Sequence, residues 1–136
     1  MTVLTQYLKT PLVADEAITA GLVLKLGTGL AIDDGEGSNP AQAAIKPIGV
    51  SQEDVAAGDY CQQVAVSGPA RVIAGATIAV GDKLAADTDG KVRPITGYTL
   101  TDGTLYYTVG TALEAASTGS GFNANLGVQI FDARTP

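Results

Sequence analysis

Histidine and tryptophan are absent from the 136 residues, cysteine occurs once, and only eight residues are positively charged against fourteen negatively charged. Each scarcity closes off a class of chemistry. Without histidine there is no Ser-His or Cys-His nucleophile system and no histidine general base. With Cys61 alone, neither an intrachain disulfide nor a cysteine-histidine metal site can form; a lone cysteine beside a strand reads as a small buried hydrophobe. A net charge of −6 with scattered Lys and Arg makes nucleic acid a poor partner, because phosphate binding works through cations that release counterions. No run of 18 apolar residues occurs, so no membrane span is expected, and the N-terminus lacks the basic and apolar segments of a secretion signal. The expectation is a soluble protein made in a cytoplasm.

What is plentiful is small. Charged residues make up 16% where about 25% is usual, while Gly, Ala and Thr abound, a composition suited to many short strands joined by tight turns. The length fits one domain with a core of its own.

One stretch organises the rest. In Ile78 to Ile95, the alternations Lys83 to Ala86 and Lys91 to Ile95 flank Asp87-Thr88-Asp89-Gly90, residues that tolerate positive φ, and predict a hairpin. A similar phrase runs from Ala17 to Asp33, with Ile18 for Ile78, Gly21 for Gly81 and Leu24 for Leu84. Each is followed by a second phrase, Ile48-Gly49-Val50-Ser51-Gln52-Glu53 and Val109-Gly110-Thr111-Ala112-Leu113-Glu114, then by Gly58 or Gly119, then by a closing strand. The chain therefore reads as two pseudo-repeated halves, about 17–68 and 77–131, within one β domain over 16–136.

Residues 1–15 differ. Val3, Leu4, Tyr7, Leu8, Leu12 and Val13 are apolar but fit neither a strand period nor a helix, which Pro11 would stop. They read as an arm that either packs as an irregular edge on its own domain or becomes ordered against a neighbouring subunit. Further along, Leu22, Leu24 and Leu26 are expected on one strand face with Val23 and Lys25 on the other. Asp33 to Pro40 reads as an acidic loop and Ala41 to Ala44 as one helical turn. Ser67-Gly68-Pro69 reads as a turn between strands, and Ser117 to Asn125 as a Gly/Ser/Asn loop before a strand over Leu126 to Phe131. Tyr98 to Leu100 and Leu105 to Val109 around Asp102-Gly103 predict another hairpin, whose Tyr98, Tyr106 and Tyr107 suit either an interface or cross-strand pairs.

Catalytic and cofactor motifs fail on residue type. Gly27-Thr28-Gly29 lacks the third glycine of a dinucleotide loop, and no phosphate loop occurs. Asp87-Thr88-Asp89-Gly90 starts like a calcium loop but has Lys91 at the next ligand position and no closing glutamate. Its likeness to an aspartic protease motif is broken by Asp89, and the acidic pairs Asp15-Glu16 and Glu53-Asp54 point apart. No catalytic residue, cofactor or metal is assigned, and the protein is read as no enzyme.

The ordered phrases Gly21-Leu-Val-Leu-Lys-Leu-Gly-Thr-Gly, Ile48-Gly49-Val50-x-x-Glu53-Asp54-x-x-x-Gly58, Val64-Ala65-Val66-x-Gly68, Gly81-Asp82-Lys83-Leu84-x-x-Asp87-x-Asp89-Gly90-Lys91 and Val109 to Glu114 resemble the capsid decoration, or cement, proteins of tailed bacteriophages. The resemblance runs from about Ala17 to Phe131. It implies an all-β domain of the β-clip or β-tulip kind, a barrel or sandwich without an active site. It also implies a homotrimer on the outside of an icosahedral virion, at threefold and quasi-threefold positions, whose partner is the major capsid protein. On that reading the arm residues Val3, Leu4, Tyr7, Leu8, Leu12 and Val13 contact the capsid or a neighbouring subunit. Tyr98, Tyr106 and Tyr107 mark a possible interface hairpin. The Asp102-Gly103 hairpin and the Asp33 to Pro40 loop depart from the family pattern. A rival reading is a carbohydrate- or surface-binding β-module of a phage fibre, which needs those three tyrosines on one exposed platform; a small dimeric aspartic hydrolase using Asp87 is the other.

Overall fold

Short apolar-polar alternations become eleven strands in the computed structural model, which describes residues 5–9, 12–14, 17–26, 31–34, 47–87, 90–97 and 105–132. They are β1 (Gln6–Tyr7), β2 (Leu12–Ala14), β3 (Val23–Leu26), β4 (Ala31–Asp34), β5 (Gly49–Ser51), β6 (Tyr60–Cys61), β7 (Val64–Ile73), β8 (Lys83–Ala86), β9 (Val92–Pro94), β10 (Leu105–Ala112) and β11 (Gly121–Asp132). A 3-10 turn spans Ile95–Gly97. The strands join in the order β6-β2-β4-β3-β5-β7-β11-β10-β8-β9, with β1 added on β7. The expected all-β class is the one adopted, as a nearly closed, barrel-like sheet.

The hairpins expected in the two similar phrases both form. Leu24 pairs with Asp34 and Leu26 with Ile32 in β3/β4, while Leu84 pairs with Pro94 and Ala86 with Val92 in β8/β9. Many further bonds also occur twice, sixty or sixty-one residues apart. Ile18 and Val55 exchange N–H···O bonds at 2.8 Å, as Ile78 and Ala116 do at 2.8 and 3.1 Å. Gly21 donates to the Ser51 carbonyl (2.6 Å) and Gly81 to that of Ala112 (2.9 Å). Gly58 donates to Ala14 (2.8 Å) and Gly119 to Ala74 (2.7 Å). All four of these glycines have φ between 87° and 94°. The parallel pair Ala14–Ile32 is matched by the parallel bridge Ala74–Val92, and the register Val13–Tyr60 by Ile73–Gly121.

Two cores flank the sheet. The larger includes Val23, Val50, Val72, Ile78, Leu84, Val109 and Phe122, and the smaller Leu12, Ile18, Leu24, Val55, Cys61 and Val64. Adjacent Val23 and Leu24 are both fully buried, one in each core, on the opposite faces expected of successive strand residues, and here both faces are covered.

Three expectations change. Residues 12–14 form β2, with Leu12 and Ala14 buried and Val13 between them half-buried, so this part of the N-terminal segment does follow a strand period. Ser67-Gly68-Pro69 is not a turn but the middle of β7. Gly68 there has φ 88°, and the Pro69 carbonyl accepts from the Thr5 hydroxyl. The missing Pro69 N–H therefore faces the N-terminal segment, where it removes no bond to β11. Finally β11 begins at Gly121, not Leu126: Phe122, Ala124 and Leu126 are buried while Asn123 and Asn125 are exposed, an alternation masked by small polar residues. The Ala41 to Ala44 turn, the Gly27-Thr28-Gly29 turn and the Tyr98 to Thr104 part of the third hairpin lie outside the described residues.

Candidate docking surfaces

The N-terminal segment runs antiparallel to residues 60–67. Gln6 pairs with Ser67, Tyr7 with Ala65, Leu12 with Cys61 and Val13 with Tyr60, and Leu8 N–H donates to the Val64 carbonyl at 2.8 Å. Of the six apolar residues assigned to contacts, Val3 and Leu4 lie outside the described residues. Leu12 is buried in the smaller core and Leu8 packs against it. Val13 is half-buried, and Tyr7 stands 46% exposed. Leu8 and Leu12 are thus engaged within the chain, and Tyr7 is the one of the six with a largely open surface among the described residues.

Tyr106 and Tyr107 are neighbours on β10 and so face opposite ways; Tyr106 is buried and Tyr107 half-buried, while Tyr98 lies outside the described residues. An exposed platform that includes Tyr106 is incompatible with this burial.

Sequence reasoning missed the exposed apolar groups elsewhere. Tyr60, Val80 and Leu113 are 61%, 68% and 50% exposed. Tyr60 stands at an open hollow of about 390 Å³ lined also by Glu53, Asp54, Val55, Asp59 and Gln62. Two of its acids hold the backbone in place: Glu53 Oε1 accepts from the N–H groups of Gln62 (2.8 Å) and Gln63 (3.2 Å), and Asp54 Oδ1 from that of Ala20 (2.8 Å). Glu114 Oε1 does for Asn123 N–H (2.9 Å) what Glu53 does for Gln62. Val80 and Leu113 flank a hydrogen-bonded step in which Gly81 N–H donates to Ala112 and Ala112 N–H to Asp82, both at 2.9 Å.

The remaining titratable candidates are structural. Asp87 is 6% exposed, abuts Gly75, and has Oδ1 3.8 Å from Arg93 Nη1, an internal ion pair that ties the two strands of the β8/β9 hairpin. Burial, and then the Glu53 carboxylate, push the Cys61 thiol up from its ordinary value. Among the described residues no group of three or more His, Cys, Asp or Glu is placed to hold a metal, and no helix is long and apolar enough to cross a membrane. Exposed apolar groups beside charges, on a hydrogen-bonded scaffold, are equipped for recognition of another surface.

Comparison with known proteins agrees with that chemistry. The family model described as phage cement protein matches residues 5–127. Among solved structures, the head fiber gp8.5 N base of bacteriophage phi29 is similar at 24% identity and a TM-score of 0.60, covering 92% of this chain and 94% of that one. No curated protein matches.

Proposed function

Because the chain belongs to the phage cement protein family, we propose that this capsid-associated structural protein binds the outer surface of an icosahedral phage shell as a homotrimer. It sits at threefold and quasi-threefold positions, touches the major capsid protein, and stabilises the shell against the pressure of the packaged genome without catalysing a reaction. The family match over residues 5–127 carries the reading. Physical considerations support it. A ligand that binds only the assembled shell stabilises that state by linkage. Three copies joined in one body act at high effective concentration, so individually weak contacts add up. A net charge of −6 suits the exterior and would be repelled by DNA within. Tyr7, with Val3 and Leu4 before it, is the part of the N-terminal segment we assign to the capsid or neighbour contact.

Sedimentation of the purified protein with empty expanded capsids, combined with light scattering of the protein alone, tests this. The expected results are cosedimentation at saturable stoichiometry and a mass of three chains. A chain lacking residues 1–4 is expected to stay folded and bind at least tenfold more weakly. Failure of the full chain to cosediment would remove the capsid from the account, and unchanged binding by the shortened one would remove Val3 and Leu4.

A further inference from the structure

Val80 and Leu113, both exposed, are bracketed by backbone bonds. Ile78 and Ala116 exchange hydrogen bonds on one side of them, and Gly81 N–H to Ala112 and Ala112 N–H to Asp82 close the other. Between these rungs Ala79 and Ala115 are exposed as well. Four apolar side chains thus form a strip that the backbone holds at both ends, and exposed apolar groups rimmed by charge are the pattern of a surface that meets another molecule.

The rim is acidic, and its acids are fixed. Asp82 Oδ2 accepts from Ala79 N–H (2.9 Å), and Glu114 Oε1 accepts from Asn123 N–H (2.9 Å). Each carboxylate is tied to backbone at the edge of the strip. Its charge is in place before a partner arrives, so little side-chain freedom remains to be lost on binding. Lys83 follows Asp82 and is exposed; one cation against two acids leaves the rim negative.

An apolar strip inside a negative rim selects the complementary pattern, apolar side chains ringed by Lys and Arg. A second copy does not supply it. Strip on strip sets Asp82 and Glu114 against their like, and strip on Tyr60 sets them against the Glu53, Asp54 and Asp59 that line its hollow. The whole chain carries −6. We infer that the strip made by Ala79, Val80, Leu113 and Ala115 docks on a basic-rimmed apolar surface of a different protein, which on the reading proposed above is the shell. The inference rests on that reading and gives the shell contact a surface in addition to Tyr7.

Cosedimentation of the full chain and three variants with empty expanded capsids, at about 0.05 M and about 0.5 M salt, tests it. Val80→Ser/Leu113→Ser is expected to bind about tenfold more weakly at both salt concentrations. Asp82→Asn/Glu114→Gln keeps both hydrogen-bond acceptors and removes only charge; it is expected to bind about tenfold more weakly at low salt and like wild type at high salt. Lys83→Glu deepens the negative rim and is expected to bind about threefold more tightly at low salt. Light scattering is expected to return the wild-type mass for every variant, and circular dichroism the wild-type fold. Unchanged binding by the serine pair would overturn the strip as a contact. Equal or tighter low-salt binding by the neutralised pair, or equal or weaker binding by Lys83→Glu, would overturn the basic partner. A lower mass for the serine pair would make the strip a self-contact and overturn the inference. A wild type that does not cosediment would defeat the shell reading and this inference with it, whereas each of the other failures leaves the shell reading standing.

Discussion

A methyl group at Gly110 would collide with the Asn125 carbonyl oxygen and press to 3.0 Å on the Leu126 Cα, and one at Gly49 would lie 2.6 Å from the Ala65 oxygen. These obstacles are backbone and cannot swing aside. Gly110→Ala is expected to separate β10 from β11 locally and cost about 1–3 kcal/mol, seen as a lower urea midpoint. Gly127→Ala on β11, with nothing within 4 Å of the added carbon, is the control and should melt with wild type. Cys61 gives a second expectation at this scale. Its folded pKa lies above the unfolded one, so its contribution to stability is complete below about pH 9.0 and is lost as the pH climbs further. Wild type should lose stability relative to Cys61→Ala above that pH. The folded thiol should also resist iodoacetamide at pH 8 until urea is added. These three residues stand out in the bare sequence, Gly49 and Gly110 within doubled phrases and Cys61 by its solitude. The need for glycine at positions 49 and 110 did not, because it comes from strands brought together by the fold.

Elements were legible where turn chemistry punctuates them and obscure where it misleads. Asp87 to Gly90 marked the β8/β9 hairpin because those residues favour tight turns. The same preference hid the start of β11, where Gly121, Asn123 and Asn125 look like a loop while Phe122, Ala124 and Leu126 fill the larger core. Phe122→Ala should therefore cost about 3–5 kcal/mol, measurable by chemical denaturation; a loop residue would cost a small fraction of that. Pro69 misled in the same way, since its missing donor is harmless on the side of β7 that faces Thr5. The N-terminal segment shows the opposite difficulty, for its pairing partners lie far along the chain at 60–67 and no local period announces them. Removing residues 1–10 deletes β1 and the Leu8 contact with the smaller core but spares β2. The shortened chain is expected to fold with stability reduced by about 1–3 kcal/mol, a loss that the 1–4 deletion should not share. Exposure was the least legible property: Tyr60, Val80 and Leu113 look like core residues until their neighbours in space are known.

At the scale of the molecule, the absence of histidine and the small, weakly charged composition point away from catalysis and toward contact, while the exposed apolar groups Tyr60, Val80 and Leu113 were visible only in the fold. What joins the parts is β7. Its first residue, Val64, belongs to the smaller core, and eight positions on Val72 belongs to the larger; at Ala65 it pairs with β1 and β5 together, and from Ser67 onward with β11. Heating cannot loosen one side of the molecule and leave the other intact, because each side leans on the same rail. A calorimeter should record a single endotherm whose van't Hoff and calorimetric enthalpies agree, and a chain severed at Gly68 should yield two fragments that are each unstructured alone.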